Sequence, residues 1–307
     1  MRLATISGAD GDAVAIVLHD GSAVPVAAAA RDMQGLDAGA IEAGGMRAVI
    51  DGGTDALARL REIADAAERG RAGIRLEAGG FGWRAPIVPR KNVMCVGRNY
   101  AEHIAEGNRA RNQSIGVGEH PVFFTKPPTA VIAHGDPILV FPDVSTAIDY
   151  EVELAVVIGK PGRGIPRERA MDHVFGYTVL NDVTARDLQA RHGGQFFKGK
   201  GLDGSCPIGP WIVTADAVGD PHDLSIALSV NGEARQDGST RDMIFDIPTL
   251  IASLSEGMTL EAGDIIATGT PSGVGYAMDP PRFLKEGDRV ACTIERIGTL
   301  ENGVRNA

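Results

Sequence analysis

Two glutamates two residues apart, in the run Asp149-Tyr150-Glu151-Val152-Glu153-Leu154-Ala155-Val156-Val157-Ile158, are the part of this sequence best placed to do chemistry. An extended strand alternates its side chains, so Glu151 and Glu153 point to one face and Val152, Leu154 and Val156 to the other. Neighbouring carboxylates beside an apolar run repel each other unless they are solvated, protonated or neutralised by a cation. Asp182, just past the apolar run Gly176 to Leu180, can bring a third oxygen ligand. Three carboxylates with no Cys or His pair near them suit a hard cation that keeps several waters, Mg2+ or Mn2+ rather than Zn2+. A strand with one solvated face has the same alternation, and spacing alone does not choose between the two.

His103 and Glu106 stand three apart in a short helical segment, a spacing at which side chains meet. A histidine oriented by a carboxylate can serve as a general base, because imidazole titrates near neutral pH; an exposed polar pair has the same spacing. Lys198 and Lys200 lie among glycines after Phe196 and Phe197, where a lysine can approach a ligand carboxylate or enolate, although lone lysines are ordinarily exposed. The segment Gly269-Thr270-Pro271-Ser272-Gly273-Val274-Gly275 offers backbone N–H groups and two hydroxyls to an anion, or is a plain glycine turn. Gly199-Lys200-Gly201-Leu202-Asp203-Gly204 has the spacing G-x-G-x-x-G, but Pro207 and Pro210 follow where a helix should begin, which excludes a dinucleotide fold. No phosphate loop, H-E-x-x-H or G-x-S-x-G motif occurs. Cys206 precedes a proline and has no evident base, so a structural role is expected.

The elements that must hold these residues are mostly short strands. Runs of β type fall at Val93 to Val96, Val122 to Thr125, Tyr150 to Ile158, Gly176 to Leu180, Trp211 to Thr214, Ser225 to Val230, Asp264 to Ala267 and Arg289 to Ile294. Gly, Pro, Asn and Asp separate most of them, which favours a folded-over sheet over a βαβ repeat. Helical pieces are expected at Asn99 to Glu106, Thr184 to Gln189 and Ile247 to Ser255. Before them, strands at Leu3 to Ser7, Val14 to His19 and Ser22 to Ala27 lead to a helix from Thr54 to Gly70. Pro86, Pro89, Arg90 and Lys91 mark a join near residue 90, so the expectation is a small N-terminal domain, 1–90, and a larger one, 91–307. The 307 residues allow that division. Forty acidic against 30 basic residues, a net charge of -10, argue against binding nucleic acid or an anionic membrane. An anionic substrate then needs a local basic pocket. Three widely spaced cysteines, Cys95, Cys206 and Cys292, fit neither a disulfide framework nor a zinc site. With no secretory pattern and no membrane-length apolar run, the expected location is the cytoplasm.

The ordered combination Val96-Gly97-Arg98-Asn99-Tyr100-Ala101-Glu102-His103, Asp149-Tyr150-Glu151-Val152-Glu153, Asn181-Asp182-Val183-Thr184-Ala185-Arg186-Asp187-Leu188-Gln189, Lys198-Gly199-Lys200 and Thr268-Gly269-Thr270-Pro271-Ser272-Gly273-Val274-Gly275 resembles the fumarylacetoacetate hydrolase family. The resemblance covers about residues 92 to 300, and the first 90 look like the variable N-terminal domain of bacterial members. It implies a mainly β, α+β fold, a mixed β-sandwich roll with a small N-terminal α/β domain, usually a homodimer. It implies Mg2+, or Mn2+, on Glu151, Glu153 and Asp182, and a His103 and Glu106 dyad that activates water. Lys200 joins the catalytic set, and Arg186, Gln189 and Thr270 are implied to hold oxygens of a small anionic 2-oxo acid. The activity first expected is hydrolysis of a C–C bond in a 2,4-dioxo acid through a metal-stabilised enolate. The alternative is decarboxylation, isomerisation or hydration of a small 2-oxo dicarboxylic acid, oxaloacetate among them. A non-catalytic metal-binding protein is a third reading, against which His103, Glu106 and Lys200 weigh. Gly107 to His120 matches no motif and is a candidate lid.

Overall fold

Val, Ile and Leu crowd the stretches 152–158, 174–181 and 206–214, and a strand covered on both faces needs that composition. In the computed structural model, which describes residues 1–8, 11–31, 36–70 and 75–307, all three are strands and almost wholly buried. In chain order the strands are β1 (Arg2–Gly8), β2 (Gly11–Val17), β3 (Ala23–Pro25), β4 (Gly82–Arg84), β5 (Val93–Gly97), β6 (Val122–Lys126), β7 (Val131–Ile132), β8 (Ile138–Val140) and β9 (Ile148–Asp149). They continue with β10 (Val152–Ile158), β11 (Val174–Asn181), β12 (Thr184–Ala185), β13 (Cys206–Thr214), β14 (Ser225–Val230), β15 (Glu233–Ser239), β16 (Ile265–Ala267), β17 (Arg289–Ile294) and β18 (Gly298–Asn306). The helices are α1 (Val26–Ala30), α2 (Ala38–Asp51), α3 (Gly53–Glu68), α4 (Ala101–Arg111), α5 (Arg186–Arg191), α6 (Phe196–Lys200), α7 (Ala215–Val218) and α8 (Ile247–Ser255).

The larger sheet runs β3-β2-β1-β13-β11-β10-β16-β5-β6, with β4 on β1 and β7 on β13; the smaller runs β15-β14-β17-β18-β8. Most pairings are antiparallel, with β16 on β5, β13 on β7 and β18 on β8 parallel. Val152, Leu154, Val156 and Ile158 face the core shared with β14, β17, β18 and α8. Ala155 and Val157 face the core shared with α2 and α3. The period of two read from the sequence therefore holds, and Glu151 and Glu153 share the second of these faces. Together this is the mixed β architecture with a few helices that was expected.

The sheet is continuous across residue 90. Arg2 and Leu3 of β1 pair with Val213 and Ile212 of β13, and Leu3, Leu60 and Ile63 share one apolar cluster with Ile208, Ile212 and Ile265. Among the strands and α-helices of seven or more residues, three lay outside the sequence reading. The α2 helix is broken at Gly45, whose non-helical backbone and neighbouring glycine obscure the helical period. The strands β15 and β18 are largely polar, as the edge strand and exposed ribbon of an antiparallel sheet can be. All three cysteines are free and buried, and among the described residues no helix is long and apolar enough to cross a membrane.

Candidate metal centre

Strands β10 and β11 pair with Val152 opposite Asn181, which brings the residues just outside that pair, Glu151 and Asp182, together. The Asp182 N–H donates to the Glu151 carbonyl at 2.8 Å, and the Glu151 N–H to Asn181 Oδ1 at 3.0 Å. Oxygens of Glu151, Glu153 and Asp182 all lie within 4.8 Å of one another, and none of the three residues is more than 4% exposed. Packing has thus removed the solvated-face alternative.

Three buried cations answer these carboxylates. Lys200 Nζ stands 2.7 Å from Glu151 Oε2 and 2.5 Å from Asp182 Oδ2. Arg186 donates to Asp149 Oδ2 at 2.8 Å and to Glu151 Oε1 at 2.7 Å. Lys126 Nζ donates to the carbonyls of Val183 and Lys200 and forms an ion pair with Asp182 Oδ1 at 2.8 Å, although the alignment there is not that of a hydrogen bond. Burial opposes the charged form of Glu151, yet Lys200 and Arg186 overrule it and hold the carboxyl far below the usual carboxylate range. Glu153 has the opposite balance. Burial first, then Asp182 and Glu151, push it well above that range, and the Lys200 charge and the Gly269 N–H at 2.8 Å are weaker counterweights.

These facts test whether a divalent ion fits. Four buried carboxylates, Asp149, Glu151, Glu153 and Asp182, face three buried cations, Lys126, Arg186 and Lys200, so the cluster is balanced only while Glu153 keeps its proton, and ionising Glu153 leaves one negative charge for a cation to match. Asp182 Oδ1 has an ion-pair partner but accepts no hydrogen bond, and every donor is a hard carboxylate. The residues fit such an ion.

His103 and Glu106 lie on α4 and do meet: Nδ1 of His103 is 2.8 Å from Glu106 Oε1. The other Glu106 oxygen accepts the Gly273 N–H at 2.8 Å. With Nδ1 donating to the carboxylate, Nε2 is the acceptor nitrogen; it has no protein partner among the described residues, and His103 lines a pocket of about 650 Å3, part of it open to solvent. Glu151, Glu153, Arg186, Gln189, Lys200 and Thr270 line the same pocket. All nine residues singled out in the sequence are therefore in or at one site, with Asp182 beneath the pocket floor.

Several details differ from expectation. Lys198 and Lys200 belong to a short helix, α6, where the sequence showed only lysines among glycines. A Cβ on Gly199 would come within 2.8 Å of the Ala185 carbonyl and the Gln189 nitrogen, so the missing side chain lets α6 press on α5. That turns Lys200 inward and leaves Lys198 exposed. Arg186, expected to hold substrate, is already occupied by Asp149 and Glu151 and stacks 4.2 Å over the Tyr276 ring. The N–H groups of the 269–276 loop do bind anions, but these are the protein's own: Glu153, Glu106 and Asp149. In the lid candidate, Asn108 clips Ile115 from both sides, accepting its N–H at 3.0 Å and donating to its carbonyl at 2.8 Å.

The sequence reading missed Lys126, Asp149, Asn181 and Gln236, which act beneath the surface of the site. Asp149 had a signal, standing two residues before Glu151 with the same parity. It gave no role to two arginines that line the pocket, Arg98 of the motif and Arg111 of the candidate lid. Arg98 sits at φ 59 with its guanidinium 6.0 Å from the Phe196 ring, and Arg111 lies 4.7 Å over Tyr276 with Nη2 3.4 Å from Gln189 Oε1. Neither has a carboxylate partner among the described residues, and together they supply the local basic pocket that an acidic chain requires.

Comparison with known proteins agrees with this geometry. The sequence model of the fumarylacetoacetate (FAA) hydrolase C-terminal region matches residues 92–305. The oxaloacetate tautomerase YisK of Bacillus subtilis (strain 168) is 54% identical over 221 residues, 72% of each chain. Among solved structures, the fumarylacetoacetate hydrolase of psychrophilic Exiguobacterium antarcticum superposes with a TM-score of 0.80 at 40% identity, covering 100% of both chains. Maleylpyruvate hydrolase from Sphingobium sp. SYK-6, in complex with manganese(II) and pyruvate, gives 0.76 at 34% identity, again over 100% of both.

Proposed function

The chain belongs to the fumarylacetoacetate hydrolase family, and on that premise we propose that it interconverts the keto and enol forms of oxaloacetate or a closely similar 2-oxo dicarboxylate, with Mg2+ or Mn2+ at Glu151, Glu153 and Asp182. The observation that carries this is the open Nε2 of His103, fixed by Glu106 and facing the pocket that holds the carboxylate cluster. It is joined by the tautomerase activity in the name of the 54% identical relative. Hydrolysis, the reaction first expected from the resemblance, thereby gives way to the alternative. It remains the second reading because solved neighbours are named as hydrolases.

A bound divalent ion would polarise the 2-oxo oxygen and take up the negative charge that grows on it. His103 Nε2 removes a proton from C3, while Glu106 holds the ring in the tautomer that leaves Nε2 free to accept. The enol oxygen takes its proton from water entering by the open mouth, the hydroxide so formed takes up the proton held on the imidazole and resets the base, and the reverse reaction runs through the same proton transfers in the opposite order. Lys200 contributes charge rather than a proton. Burial opposes its ammonium, but Asp182 and Glu151 more than compensate and hold it protonated. Arg186 keeps Glu151 in place, and Arg98 and Arg111 attract a dianion to the mouth.

The test is to dissolve oxaloacetate with the Mn2+-loaded protein and follow both the enol absorbance and the products by mass. Faster relaxation of the enol signal than in buffer, with no pyruvate formed, is the expected result. Stoichiometric pyruvate would make the protein a decarboxylase, and cleavage of acylpyruvates with oxaloacetate untouched would reinstate the hydrolase.

A further inference from the structure

Gln236 on β15 is 1% exposed and belongs to the smaller sheet, yet its side-chain polar atoms are spent on β10 of the larger one and on the loop after β16. Its Oε1 accepts the Val152 N–H at 2.9 Å. Its Nε2 donates to Thr270 Oγ1 at 2.7 Å and to the Pro271 carbonyl at 2.8 Å. The amide orientation is not ambiguous, since a backbone N–H can only donate and a carbonyl can only accept. Thr270 Oγ1 in turn lies 2.8 Å from the Val152 carbonyl, and there the hydroxyl must be the donor.

A hydroxyl has one proton and two lone pairs. In Thr270 the proton is committed to Val152 and one lone pair to Gln236, which leaves one lone pair on a side chain that lines the pocket. We infer that Gln236 is a positioning residue that fixes Thr270 as a hydrogen-bond acceptor, so that the ligand atom beside Thr270 is a hydroxyl rather than a carboxylate oxygen. This rests on the proposed function and deepens it: the group recognised there is the O–H of an enol or 2-hydroxy acid, which one tautomer carries and the other lacks. It also narrows the role expected of Thr270, from holding substrate oxygens or negative charge to accepting a substrate hydroxyl.

The test compares malonate with tartronate, which differ by one hydroxyl, binding to the Mn2+-loaded protein by calorimetry. Thr270→Val should weaken tartronate about fivefold, the loss of one hydrogen bond, and leave malonate within about twofold. Thr270→Ser, which keeps the hydroxyl, should restore tartronate and so exclude a mere packing defect. A loss of malonate affinity equal to or larger than that of tartronate would show Thr270 donating to a carboxylate and overturn the inference. Unchanged affinity for both would do the same, and so would failure of both to bind the wild type. Oxaloacetate turnover by the wild type is read separately. Its absence removes the proposed function, whereas turnover without the tartronate effect removes only the role given to Thr270 and Gln236.

Discussion

Glu151 and Glu153 are two residues apart, yet their surroundings drive them in opposite directions. Lys200 and Arg186 grip Glu151, while Glu153 has only a backbone N–H and faces two other carboxylates. At neutral pH in the metal-free protein, the depressed group stabilises the fold above its ordinary range and loses that contribution as pH falls through its lowered value. The raised group does the reverse, since above the ordinary carboxylate range the unfolded chain ionises it freely and the folded chain does not. Glu153→Gln should therefore raise the melting temperature of metal-free protein at pH 7 while abolishing Mn2+ binding. Glu151→Gln should lower it, since breaking a buried ion pair costs about 3 to 5 kcal/mol. Calorimetric scans with and without metal read both, and equal shifts would sink this account. His103 bonds to Glu106 and to none of the three carboxylates, so His103→Gln should leave Mn2+ affinity unchanged and cut turnover by about 10^2 to 10^4-fold.

At the scale of elements, the loop after β16 does the most with the fewest side chains. Gly273 lies at φ 108, and a Cβ there would be 2.0 Å from the Arg235 carbonyl. Gly273→Ala should destabilise the protein by more than the ~1 to 3 kcal/mol of left-handed strain alone, and should lower turnover as well, because the Gly273 N–H that steadies Glu106 must move. A stability loss without a change in turnover would show that the loop does not hold the dyad. Helix α8 provides a contrast, since none of its residues lines the pocket. Asp246 caps it, accepting the Thr249 N–H at 2.9 Å, so Asp246→Ala should cost about 1 kcal/mol in denaturant unfolding and leave turnover intact.

Across the whole molecule, the larger sheet joins the first 90 residues to the rest. Removing them would strip β1 from β13 and expose Ile208, Ile212 and Ile265, now covered together with Leu60 and Ile63. A chain of residues 91–307 should aggregate or melt well below the full chain, through an unpaired strand edge and a bared apolar face. A stable, active fragment would show instead that the N-terminal part is an independent addition. Alkaline pH should also weaken the fold. Burial raises the thiol of Cys206 to about 12 and that of Cys95 well above its ordinary value, so the unfolded chain sheds these protons first. Stability should fall between about pH 9 and 12, and Cys206→Ala should flatten part of that slope.

Periodicity and residue type alone determined a good deal here. Alternation along Tyr150 to Ile158 placed Glu151 and Glu153 on one face, i, i+3 spacing paired His103 with Glu106, and the turn-separated apolar runs announced short strands, because these are local geometric rules that every chain obeys. Only the tertiary structure decided that Asp182 closes the triad, that Lys200 faces in while Lys198 faces out, and that Arg186 is committed to Asp149 and Glu151. Those outcomes depend on strand register, on the close approach of two helices at Gly199, and on which charges share a dry interior. Gln236 makes the same point from 84 residues beyond Val152. Contacts between residues distant in the chain arise from how sheets pack face to face, and no local pattern in the sequence carries that information.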